Sequence, residues 1–142
     1  MEVISIFDIF KIGVGPSSSH TLGPWKAALE FSSSLLNINF DKIEIRLYGS
    51  LSKTGKGHAA GEAVQLGLLG YNPETIPTNQ IGNILDELKS KKKITIQKNS
   101  FDFEAEKHIV FTNKNKLGHP NTIKFKIYKK KKLIREATYY SV

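Results

Sequence analysis

Thr122-Ile-Lys-Phe-Lys-Ile-Tyr128, then four lysines, then Leu133-Ile-Arg-Glu-Ala-Thr-Tyr-Tyr140, decide the fold class. In the first segment Ile123, Phe125 and Ile127 alternate with polar residues, the period of a strand with one buried face. The short lysine connection predicts that the two segments pair as a hairpin. Upstream, Ile94–Gln97 and His108–Thr112 also read as strands, and the Asn-rich stretch 113–121 reads as a turn region. Further back, Ile43, Ile45 and Leu47 alternate with Glu44, Arg46 and Tyr48, a half-buried strand. Helical spacing predicts a helix over Pro24–Leu36, a second that starts near His58 and stops at Gly70, and a third after Asn79 carrying Ile81, Ile84, Leu85 and Leu88. The apolar run over residues 3–10 fits a helical turn or two. Helix, strand, helix, helix and then consecutive strands imply an α+β fold of two layers, with helices packed on one face of a mixed β-sheet.

Composition narrows the chemistry. The 142 residues suffice for one domain with its own core. There is no cysteine, so disulfides, thiolate metal sites, cysteine nucleophiles and iron–sulfur ligation are excluded within this chain. No apolar stretch is long enough for a membrane span, and Glu2 and Asp8 interrupt the N-terminal apolar run where a secretory signal is uncharged. The expectation is a cytoplasmic protein with no membrane partner. The net charge of +8 is unevenly spread: residues 1–88 hold six Lys/Arg against nine Asp/Glu, and residues 89–142 hold fifteen against four. The excess sits in Lys89–Lys93 and Lys129–Lys132, which read as a helix end and a strand connection. With Arg46 and Arg135 as the only arginines, the side chain that most often reads bases is nearly missing, and no nucleic-acid partner is expected.

The chemistry-bearing stretch is Gly13-Val-Gly-Pro-Ser-Ser-Ser-His-Thr-Leu-Gly-Pro24. Consecutive hydrogen-bonding side chains compete for backbone groups, so this is a shaped loop feeding a helix. Backbone N–H groups and the positive helix end suit a small anion there. The same residues also suit a plain Ser/Thr-rich N-cap with Pro24 at the first helical position and no ligand. A second Gly/Ser loop, Gly49-Ser-Leu-Ser-Lys-Thr-Gly-Lys-Gly57, delivers His58 to the start of another helix. Lys56 sits between glycines, but the Walker spacing is absent and ATP is not expected.

Three of the four histidines, His20, His58 and His119, lie in Gly-, Pro-, Ser- or Asn-rich loops. At a helix N-terminus the cationic imidazole is disfavoured, and neutral imidazole can accept a proton. No histidine pair has local ligand spacing, so no metal site is assigned. Ser19 next to His20 lacks the geometry of a nucleophile and its base. His108 falls in a strand-like stretch and receives no role.

Ser5-Ile-Phe-Asp-Ile-Phe-Lys-Ile-Gly-Val-Gly-Pro-Ser-Ser-Ser-His-Thr-Leu-Gly-Pro24, Leu47-Tyr-Gly-Ser-Leu-Ser-Lys-Thr-Gly-Lys-Gly-His58, Gly118-His-Pro-Asn-Thr122 and the closing Tyr139-Tyr-Ser-Val142 together resemble the bacterial iron–sulfur L-serine dehydratases. The resemblance covers nearly the whole chain as their N-terminal β domain, residues 1–142. It implies a fold similar to a domain of some phosphoglycerate dehydrogenases. It also implies conversion of L-serine to pyruvate and ammonia, with a [4Fe-4S] cluster carried by a separate α domain, fused downstream or on another chain, whose open iron acts as Lewis acid. On this resemblance His58 is the base, and Ser17, Ser18, Ser19, His20 and Thr21 line the substrate pocket, with His119 and Asn121 beside them. The Tyr-Tyr-Ser-Val stretch leads, in fused relatives, toward the α domain. No regulatory ACT pattern is visible, so the chain is expected to be an N-terminal piece of a longer fused enzyme that forms a homo-oligomer. The competing reading is a non-catalytic module in which the same loop senses serine or another small anion.

Overall fold

The computed structural model describes residues 2–6, 21–49, 56–112 and 121–140, with the side chains of residues 2–6, 56–58 and 121 left aside. The chain runs β1 (Glu2–Ile6), α1 (Leu22–Ser33), β2 (Lys42–Gly49), α2 (Lys56–Leu68), a 3₁₀ turn (Thr78–Gln80), α3 (Ile81–Lys91), β3 (Lys93–Ile96), β4 (Asn99–Asp102), the one-turn α4 (Ala105–His108), β5 (Ile109–Thr112), β6 (Asn121–Lys129) and β7 (Lys132–Tyr140). Five strands form a mixed sheet in the order β1-β7-β6-β2-β5, and β3 pairs with β4 in a separate hairpin. β1 runs parallel to β7 and β5 parallel to β2, while β2–β6 and β6–β7 are antiparallel. The α+β expectation is met.

Alternation explains the layers. Ile43, Ile45 and Leu47 of β2 and Ile123, Phe125 and Ile127 of β6 are fully buried on the face that takes the helices. There Phe31 of α1 stacks on Phe125 at 4.7 Å, and Tyr139 of β7 meets the same ring edge-on at 5.6 Å. Burial pushes the Tyr139 phenol well above its ordinary range, with Glu30 adding to the effect. The other face carries Glu44, Arg46, Lys124, Lys126 and Glu136. Glu136 lies 3.4 Å from Lys124 and 3.8 Å from Lys126, and Arg46 lies 3.2 Å from Glu44.

α1 and α2 touch backbone to backbone at Gly67. A Cβ there would stand 2.4 Å from the Trp25 carbonyl oxygen and 2.7 Å from the Ala28 Cβ. The contact is locked by two hydrogen bonds: the Ser32 hydroxyl donates to Leu68 O, a carbonyl at the end of α2, at 3.1 Å, and the Trp25 indole donates to Tyr71 O, just past that end, at 2.8 Å. The β3–β4 hairpin is tied on by Asn99, whose amide donates to Ile38 O at 2.8 Å and accepts from Phe40 N–H at 3.1 Å.

Three local readings are corrected and one strand is added. The apolar run from residue 3 begins as strand β1 rather than a helical turn. Val3, Ile4 and Ile6 are β-branched, and a continuous apolar run fits a sheet-edge strand as well as a helix. α1 starts at Leu22, so Pro24 is its third residue; N–H groups of the first turn have no intrahelical acceptor, and proline loses nothing there. β4, Asn-Ser-Phe-Asp, was hidden by its turn-type composition. His108 ends α4 instead of lying in a strand: its Nδ1 accepts from the Glu104 N–H at 2.9 Å, and its ring stacks on Phe103 at 5.3 Å.

The lysine runs fall where their composition placed them. Lys89 and Lys91 occupy the last turn of α3, and Lys129–Lys132 turn β6 into β7. Lys130 and Lys131 both adopt positive φ, 49° and 68°. The Lys130 N–H donates to Asp41 Oδ2 at 3.0 Å. Two consecutive positive φ values suit Asn-Gly, and lysine is strained at each. The double substitution Lys130→Asn, Lys131→Gly should therefore stabilise the fold by about 1 kcal/mol and raise Tm by a few degrees, since the backbone bond to Asp41 is kept. A drop in Tm in differential scanning calorimetry would contradict this account of the turn.

Candidate active site

The strand directions gather the candidate segments at one end of the sheet. β1, β2, β5 and β7 all finish there, at Ile6, Gly49, Thr112 and Tyr140, and antiparallel β6 begins there at Asn121. The connection from β1 to α1 therefore leaves from this end, as does the connection from β2 to α2, and the β5–β6 connection both leaves from it and returns to it. Small-molecule sites in open sheets favour the carboxyl ends of strands, and here four of five strands present that end together.

Three of the predicted residues, Thr21, His58 and Asn121, can be placed on this frame. Ser17, Ser18, Ser19, His20 and His119 lie outside the described residues. Thr21 stands immediately before α1, with φ −126° and ψ −61°, and its carbonyl accepts from Trp25 N–H at 3.1 Å. Its side chain does not cap the helix, so the Ser/Thr N-cap reading finds no support at this residue. His58 is the third residue of α2, in the first turn as expected. Asn121 is the first residue of β6 and pairs with Gly49, the last of β2, so the segments leading to His58 and from His119 are anchored on adjacent strands at one rung. Gly49 has φ 68°, the left-handed conformation that lets the chain turn off the sheet at this point without a Cβ penalty.

Sequence alternation missed one feature. Tyr48 falls in step with Glu44 and Arg46, the water-facing set, yet it is only 9% exposed, and its partner Thr122 is fully buried. The signal was available in the type of residue: an aromatic and a threonine at positions that elsewhere along the strands hold charges.

Depressions elsewhere do not compete for the chemistry. One, of about 390 Å³, lies between α2, α3 and α4 and is lined by Glu62, Gln65, Asp86, Lys89 and Glu106 among others. It is away from the strand ends and contains none of the predicted residues. Among the described residues no group of three or more His, Asp or Glu could hold a metal.

Comparison with known proteins decides the family. The family model described as serine dehydratase beta chain matches residues 5–142. The chain belongs to the serine dehydratase beta-chain family. It is 40% identical over 146 aligned residues to an L-serine dehydratase of Helicobacter pylori, covering 100% of this chain and 32% of that protein. It is 34% identical to L-serine dehydratase 1 of Escherichia coli, covering 99% of this chain and 32% of the relative. An L-serine dehydratase of Streptomyces coelicolor shares 42% identity over 97 residues, 66% of this chain. The β-chain domain thus spans about a third of the length of the first two relatives. Among its described residues, no helix is long and apolar enough to cross a membrane.

Proposed function

We propose that residues 1–142 form the β domain of an L-serine dehydratase and work with a separate α domain to convert L-serine into pyruvate and ammonia. The observation that carries this reading is the convergence at one end of the sheet: Gly49 and Asn121 share a rung, with the ends of β1, β5 and β7 alongside. Three motifs far apart in the chain are thereby rooted together, which a shared substrate site requires. The names of the relatives favour an enzyme over a serine-sensing module.

The chain does not fit an iron–sulfur cluster, because it contains no thiolate. We assign the [4Fe-4S] cluster to the α domain. What this chain supplies is substrate binding and a base. Serine's α-proton is weakly acidic, so elimination of the α-proton and the β-hydroxyl needs a positioned acceptor. His58, in the first turn of α2, takes that proton. The residues before α1, Ser17, Ser18, Ser19, His20 and Thr21, hold the carboxylate and amino groups near the positive helix end, with His119 and Asn121 as further substrate-binding residues. Loss of water gives the enamine, which tautomerises to the imine and hydrolyses to pyruvate and ammonia. The assembled enzyme is a cytoplasmic homo-oligomer.

The test is reconstitution. Purified anaerobically with iron and sulfide, this chain alone should stay colourless and form no pyruvate; with its cysteine-bearing α partner it should form pyruvate from L-serine. Cluster binding and turnover by this chain alone would overturn the two-domain reading. Absence of pyruvate from the reconstituted pair, with its cluster intact, would overturn the substrate assignment.

A further inference from the structure

The rung beneath Gly49–Asn121 is built differently from the rest of its face. Tyr48 of β2 pairs with Thr122 of β6; Thr112 of β5 pairs with Tyr48, and Tyr140 of β7 with Thr122. Four neighbouring strands therefore place hydroxyl-bearing side chains in a single row, on the face turned away from α1 and α2. The next rungs down this face hold Arg46 with Lys124 and Glu44 with Lys126. Those charges keep side-chain exposures of 23–38%; Arg46 pairs with Glu44, and Lys124 and Lys126 pair with Glu136. At the row the environment closes: Tyr48 is 9% exposed and Thr122 0%, and Thr138, diagonally below, is 5% exposed. Thr122 and Thr138 are two of the three buried polar residues among those described, the third being Ser32 in the helix layer.

A packed position gains nothing from a hydroxyl, and burying one costs free energy unless it is hydrogen-bonded. Leucine or valine would serve packing alone at least as well. The row lies one residue from Gly49, where β2 ends and the chain continues toward His58, and one residue from Asn121. We propose that Tyr48 and Thr122 are positioning residues for the dehydratase reaction: their hydroxyls fix the Gly49–Asn121 rung and so set where His58 and Asn121 stand relative to substrate. This rests on the serine dehydratase reading above. Displacing a reacting group by about 1 Å costs on the order of a hundredfold in rate, so a second layer of this kind has large leverage.

The test uses the complete cluster-loaded enzyme with Tyr48→Phe, Thr122→Val and, as the hydroxyl-preserving control, Thr122→Ser. The first two are near-isosteric and should keep the melting temperature within a few degrees. They should lower kcat about ten- to a hundredfold, shift the limb of the pH–rate profile that reports the base, and speed amide exchange over residues 56–61 and 121–124. Thr122→Ser should restore most of the rate. Wild-type kcat and pH profile in well-folded Tyr48→Phe and Thr122→Val would overturn the proposal, as would a rate loss that simply tracks lost stability. If the unmodified enzyme fails to turn over serine, the functional reading falls. The exchange measurement then decides the positioning role by itself: unchanged exchange at both segments overturns it.

Discussion

His58→Ala and His58→Gln, introduced into the assembled cluster-loaded enzyme, should lower kcat by about a hundred- to ten-thousandfold, the range typical for removal of a positioned general base. KM for serine should change far less, because the carboxylate and amino group of the substrate are assigned to residues before α1 and not to His58. A loss confined to kcat marks an interaction made only in the transition state. The structural basis is the anchoring of α2: six residues separate its first residue, Lys56, from Gly49, and Gly49 sits at the strand end opposite Asn121. A connection of six residues from the end of an interior strand limits how far the first turn of the helix can stand from that rung. Turnover close to the unmodified rate, with an intact cluster, would remove His58 as base and move the assignment to His20 or to the α domain. A shifted activation curve with unchanged maximal rate would instead favour the sensing module.

Gly67→Ala should be the most damaging single-methyl change in the described core. Alanine normally gains about 1 kcal/mol over glycine inside a helix. Here the added carbon would meet the Trp25 carbonyl oxygen at 2.4 Å, the Ala28 Cβ at 2.7 Å and the Leu29 nitrogen at 2.9 Å. Two of those three atoms are backbone, so relief requires α1 and α2 to separate. Separation strains the bond from Ser32 to Leu68 O and the bond from the Trp25 indole to Tyr71 O. Overpacking of this kind costs about 1–3 kcal/mol and more where backbone must move, so a net loss of about 2 kcal/mol is expected despite the propensity gain. Gly82→Ala on α3 is the matched control: its Cβ would meet nothing within 4 Å. It should stabilise the protein by up to about 1 kcal/mol. Urea denaturation of both variants checks the pair, and equal midpoints would show that the α1–α2 contact is looser than the structure shows. Because α2 also bears His58, the Gly67 variant should lose activity along with stability.

The layers were legible because alternation and helical spacing are written directly in side-chain polarity. Ile43, Ile45 and Leu47, like Ile123, Phe125 and Ile127, are buried as their period requires. What escaped were places where local pattern is silent about the partner. β1 reads as any short apolar run until β7 is there to pair with it. β4 is made of turn-type residues and is a strand because β3 offers it a ladder. Tyr48 obeys the solvent-facing period, and its burial depends on what surrounds the strand end, which no local pattern encodes. For the site, residue types and family resemblance supplied the candidates. Their common origin at one end of the sheet is a property of strand direction, which only the topology reveals.

The parallel pairing of β1 with β7 has a consequence for how the domain is made. Glu2 finds its partner in Arg135 and Ile6 in Tyr139, so β1 leaves the ribosome long before the strand it pairs with. Such distant pairing is slow to close, since loop entropy is lost before the contacts form. Until residue 140 has emerged, the apolar segment that becomes β1 stays unpaired, a target for chaperones and for mispairing with neighbouring chains. Completion of this sheet thus waits on β7, and only then do the ends of β1 and β7 stand at the same end of the sheet as the rung that carries Gly49 and Asn121.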